Sequence, residues 1–125
     1  MTVHVDTNVL LAMILAERAD EQPQTAARTR EHGPLTVGES VLAETCWVLE
    51  SVYQHPRHKI ARLLRLALSS EDLIAWDPIL ADRSLELMEQ HPRLGIVDCI
   101  LAGRALDGDA VCTLDRRLNR VIENL

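Results

Sequence analysis

Apolar residues along this chain follow two spacings that alternate from end to end. Short runs at 3–5, 35–37, 73–76 and 110–114 suit buried strands, and between them apolar positions recur every three or four residues, as on the inner face of a helix. The pattern predicts a strand at 3–5 and a helix at 8–16 with Thr7 or Asn8 placed to cap it. A second helix at 20–31 is stopped by Gly33-Pro34, and a strand at 35–37 hands over at Gly38 to a helix at 40–53. Pro56 opens a helix ending near Ser69-Ser70, residues 73–76 form a third strand, and Pro78 opens a helix to about 90. Pro92 and Gly95 mark a break before a helix at 96–106; a fourth strand at 110–114 and a short helix at 116–122 close the chain. Strands alternating with helices predict an α/β fold around a parallel sheet.

A chain of 125 residues fits one domain, 1–125, large enough to bury a core without staples. The only repetition is a pair of isolated His-Pro-Arg triplets, 55–57 and 91–93. Three cysteines without a C-x-x-C pair favour neither a disulfide framework nor a zinc knuckle, so Cys46, Cys99 and Cys112 read as small buried hydrophobes. No basic leader and no apolar stretch of spanning length is present, which points to a cytoplasmic protein without a membrane partner.

Four acids occupy special positions in this framework: Asp6 closes VHVD, Glu44 lies about one turn into SVLAETCWVL, Asp98 is in the first turn of GIVDCILAGRA, and Asp115 closes AVCTLD. Carboxylates at helix starts are also favoured simply as caps and by the helix dipole. In a parallel sheet, however, all strand C-termini share one edge, so such residues can converge in one crevice. Buried without compensation they would be costly, and a hard divalent cation with oxygen ligands removes that cost. Glu39 rivals Glu44, and Glu44 is preferred because its apolar neighbours should hold it inward. No Ser-His-Asp or Cys-His arrangement, zinc helix or Gly-rich phosphate loop is recognisable. A haloacid dehalogenase-type phosphatase would need a second Asp where Asn8 stands.

The four motifs DTNVLL, SVLAETCWVL, GIVDCILAGRA and TLDRRL, in this order and spacing, resemble the PIN domains, and most closely their VapC-type toxin ribonucleases. The resemblance spans nearly the whole chain. It implies a three-layer α/β/α sandwich with a short central parallel sheet of four strands, or five. It also implies a metal-dependent endoribonuclease using Mg²⁺ or Mn²⁺, with Asp6, Glu44, Asp98 and Asp115 as metal-binding catalytic acids and Thr7, Asn8 and Thr113 as auxiliary neighbours. RNA as substrate, a homodimer and a cognate antitoxin of a VapBC-type pair follow as expected partners. One departure is visible: only ten residues follow Asp115, where the family continues into a helix and a final strand. A non-catalytic nuclease-like scaffold and a housekeeping RNA-processing nuclease remain alternatives.

A formal net charge of -6 argues against broad electrostatic capture of nucleic acid. Of thirteen basic residues only Lys59 is lysine, and arginine suits bidentate contact with phosphate, although arginine-rich codon usage gives the same bias. His58, Arg62 and Arg65 share one helix face, and Arg116, Arg117 and Arg120 lie beside Asp115; either set could grip RNA phosphates or form a solvated face of local ion pairs, the first set favouring the ion-pair face. Phe is absent, so a base-stacking platform is not expected, and Trp47 and Tyr53 read as core or an oligomer contact.

Overall fold

The computed structural model describes the backbone of all 125 residues and the side chains of all except 24–26, 28 and 30. Strand β1 (Val3–His4) ends just before Asp6, whose Oδ1 accepts a hydrogen bond from the Val9 backbone N–H at 2.9 Å and so caps α1 (Thr7–Ile14). A 3₁₀ segment, Ala16–Glu21, precedes α2 (Gln22–His32), where the sequence pattern predicts one continuous helix from 20. Gly33 ends α2 at φ 80, a conformation that side chains with a Cβ rarely adopt. Strand β2 (Leu35–Val37) leads into α3 (Glu39–Ser51), and α4 (Arg57–Leu68) follows the Pro56 turn. Strand β3 (Leu73–Ala75), α5 (Pro78–Gln90), α6 (Ile96–Leu106) and α7 (Arg116–Glu123) complete the order.

The three strands pair in parallel in the order β1-β2-β3, with Val3 opposite Leu35 and Leu35 opposite Leu73. Pairing runs one residue past the strand ends: the Val5 N–H donates to the Thr36 carbonyl at 3.0 Å and the Trp76 N–H to the Val37 carbonyl at 2.9 Å. Alternation along the strands then separates two faces. Val5, Leu35, Val37, Leu73 and Ala75 are buried beneath the helices with Leu42, Leu49, Ile60, Leu64 and Leu85. On the other face the register sets His4, Thr36 and Ile74 side by side, and none of them is buried. The sheet therefore has one sealed face, where a three-layer sandwich requires two.

The predicted fourth strand is absent among the described residues, and so is a fifth. Residues 110–115 form no ladder: Leu114 is fully exposed, Ala110 and Cys112 are exposed, and Val111 and Thr113 are half-buried. A strand with no buried face has nothing to hold its register. The chain after this segment is anchored elsewhere, by Leu118 of α7, which is 0% exposed in the core beside α6. Against the sequence-based expectation, Cys112 is exposed, while Cys46 and Cys99 are buried.

Helices α5 and α6 pack against each other extensively, and Gly103 permits their close contact. A Cβ there would stand 2.9 Å from Leu80 Cδ1 and 3.3 Å from Ser84 Oγ. This contact fixes α6, and with it Asp98, against the body of the protein.

Candidate active site

Asp6 and Asp115 are built alike. Each ends an extended segment, each is exposed, and each uses Oδ1 to cap the next helix: Asp6 accepts from the Val9 N–H, Asp115 from the Leu118 N–H at 3.0 Å. The cap explains their position by local chemistry alone. Thr113 belongs to the same turn, since its Oγ1 accepts from the Asp115 N–H at 3.0 Å and its carbonyl accepts from Asn119 Nδ2 at 3.1 Å. Thr7 is buried in the first turn of α1, and Asn8 is exposed beside Asp6. Asp6, Asn8, His4 and Arg18 line an open cleft of about 750 Å³ along β1.

Glu44 is exposed and has no hydrogen bond or ion pair among the described residues. The apolar neighbours expected to hold it inward do the opposite. Leu42, Cys46 and Leu49 are buried, and at about 100° per residue Glu44 falls about 200° round the helix from Leu42, facing away from them. Glu39 takes the inward place: it is half-buried and ion-paired to Arg104 of α6. Asp98 is half-buried in the first turn of α6 and lines a second hollow of about 290 Å³ with Trp47, Glu50 and Val97. Trp47 is 62% exposed and so belongs to the surface, not the core.

Asp6 and Asp98 line different hollows. Among the described residues, no group of three or more His, Cys, Asp or Glu side chains stands close enough to hold a metal ion. Carboxylate oxygens are the right donors for Mg²⁺ or Mn²⁺, but a site needs several of them converging on one point. Asp6, Glu44, Asp98 and Asp115 supply donors of that kind.

Other nucleophiles are muted. Burial pushes the Cys46 thiol up to about 12 and the Cys99 thiol up to about 11, with nearby Arg57 pulling the other way. Both are protonated and inert near neutral pH.

The two arginine groups separate cleanly. Arg62 pairs with Glu89 at 3.2 Å, and Arg65 with Asp82 at 2.8 Å and Glu89 at 3.9 Å, which is the solvated ion-pair face expected for this set. Arg116, Arg117 and Arg120 are exposed and make no side-chain ion pair or hydrogen bond among the described residues.

One positioning residue escaped the sequence reading. Arg57 donates through Nη2 to the carbonyls of Met88, at 3.1 Å, His91, at 3.2 Å, and Leu94. It ties the start of α4 to the turn that launches α6. The His-Pro-Arg repetition was its one visible trace, because the arginine of the first triplet grips the histidine carbonyl of the second.

A parallel α/β sheet whose first strand leads into Asp6, with Glu44 and Asp98 in the early turns of later helices, is compatible with a nuclease-like class. The chain belongs to the PIN domain family, whose match covers residues 3–124. The PIN domain is a nuclease fold, generally of metal-dependent ribonucleases. No curated protein and no solved structure matches the chain. Among the described residues, no helix is long and apolar enough to cross a membrane.

Proposed function

We propose that this protein is an endoribonuclease that hydrolyses RNA phosphodiester bonds with Mg²⁺ or Mn²⁺, and that it is the toxin of a VapBC-type toxin–antitoxin pair. The single observation that carries the hydrolytic reading is the PIN domain match over residues 3–124. Asp6, Glu44, Asp98 and Asp115 are the proposed acids, because they stand at the motif positions of the resemblance, with Thr7, Asn8 and Thr113 beside them. The toxin role rests on the likeness of the four motifs to VapC-type sequences, which also suggests a homodimer and a cognate antitoxin.

The capping roles of Asp6 and Asp115 favour a second reading, a nuclease-like binding module without catalysis. Both Asp6 and Asp115 already have structural employment as caps, and among the described residues no three-acid group exists. The two readings part in one experiment. Purified protein is incubated with total cellular RNA and Mg²⁺ or Mn²⁺, beside Asp98→Asn and a chelator control. Discrete fragments that vanish in both controls support the nuclease. Intact RNA with folded wild-type protein, followed by intact DNA, supports the binding module.

A further inference from the structure

Helix α7 is short and strongly two-sided. Leu118 is 0% exposed and Val121 and Ile122 pack half-buried against the core, so one side of the helix is committed inward. At about 100° per residue, Arg116, Arg120 and Arg117 fall within an arc of about 100° on the opposite side. All three are exposed.

Among the described residues these three, like Arg93 and Lys59, make no ion pair in a chain of net charge -6. Arg18, Arg62, Arg65, Arg83 and Arg104 each take an ion pair, and Arg57 is consumed by backbone carbonyls. Neither neighbouring acid pairs with the stripe among the described residues: Asp115 caps α7 through Oδ1 on the Leu118 N–H, and Glu123 makes no ion pair. Three neighbouring exposed guanidiniums without an ion pair form a cationic strip, and planar guanidiniums match phosphate oxygens in bidentate fashion. The strip begins at the residue next to Asp115.

From this we infer that α7 is a phosphate-gripping strip that holds the backbone of single-stranded RNA, independently of sequence and of metal, and delivers it to the Asp115 side of the molecule. The inference rests on the reading of this protein as a ribonuclease and names how that enzyme holds its substrate. No aromatic side chain lies on α7, so the grip reads phosphates and not bases.

The test is binding of a short labelled RNA in the presence of chelator, so that cleavage plays no part, measured by fluorescence anisotropy across a salt series. A combined Arg116→Gln, Arg117→Gln, Arg120→Gln variant is compared with wild type, with the same three positions changed to Lys, and with Arg93→Gln, an exposed arginine between α5 and α6. At about 0.7 of salt slope per neutralised phosphate on single strands, the Gln variant should lose about 2 from the slope of log affinity against log salt. The Lys variant, which keeps the charge, and Arg93→Gln should keep the wild-type slope. A circular dichroism spectrum of the Gln variant shows whether the fold survives, and single Arg→Gln changes, each lowering the slope by about 0.7, supply the same result if it does not. An unchanged slope in the folded Gln variant, or wild-type protein that binds no RNA, overturns the inference. DNA of the same sequence serves as a parallel arm: equal binding places recognition on phosphate alone, and binding of DNA but not RNA overturns the assignment to RNA. Failure of the ribonuclease reading looks different, because the slope then falls as expected while wild type leaves RNA intact with Mg²⁺.

Discussion

Glu39 at the start of α3 and Arg104 in the last turn of α6 form an ion pair that joins the helices carrying Glu44 and Asp98. It takes the inward position that sequence reasoning assigned to Glu44. Both side chains are more than a third exposed, so the pair contributes about 0–1 kcal/mol. Glu39→Gln should therefore shift the urea midpoint slightly and leave RNA cleavage close to wild type. Glu44→Gln should abolish cleavage without lowering stability, since Glu44 has no partner to lose. Full activity in Glu44→Gln together with loss in Glu39→Gln would transfer the role to Glu39.

Arg57 carries three backbone carbonyls on one nitrogen in a half-buried setting. Its removal should cost about 2–4 kcal/mol, because hydrogen bonds to charged groups are strong and the carbonyls would lose their shared donor. Arg57→Ala measured by urea unfolding checks this, and a change below about 0.5 kcal/mol would rule the clamp out as a structural element.

The thiols respond to alkali with a definite sign. In the folded chain Cys46 and Cys99 stay protonated up to about 12 and about 11, whereas the unfolded thiols ionise from the ordinary 9.0. The unfolded state then binds fewer protons, so stability is intact below pH 9 and falls as pH rises from 9 towards the folded values, by up to about 1.4 kcal/mol per pH unit for each thiol. Urea midpoints from pH 8 to 10.5 should decline, and the decline should flatten in a Cys46→Ala, Cys99→Ala double variant. In native protein a thiol reagent should modify Cys112 alone.

Metal addition tests whether the four acids hold a cation. A cation that binds only the folded state stabilises it by about 2.7 kcal/mol at a hundred times its dissociation constant. The melting temperature should rise with Mg²⁺ or Mn²⁺ in wild type and remain flat in Asp98→Asn, whose metal-free form should melt close to wild type because the Asp98 carboxylate makes no hydrogen bond or ion pair among the described residues. Equal response in both would assign the ion elsewhere.

The three sheet strands and helices α3 to α6 were legible to within a few residues because punctuation marks them: Gly33-Pro34, Pro56, Pro78 and Gly95 each stand at a break that local backbone chemistry imposes. Asp6 and Asp115 were legible as helix starts for the same reason, and the four ordered motifs carried the family. Residues 110–114 were misread because an apolar run looks the same whether or not a surface exists for it to cover, and only the anchoring of α7 on α6 left Leu114 in solvent. Glu44 was misplaced because apolar neighbours in sequence occupy other sides of a helix, and which side turns inward is decided by what packs there. The chain by itself determined most of its elements, its family and which residues bear charge; tertiary packing decided whether 110–114 joins the sheet, which charges are paired, as at Arg62 and Arg65, and which are left facing water, as at Arg116, Arg117 and Arg120. Partners such as Asp82 and Glu89 lie far away in sequence, so no local pattern records them.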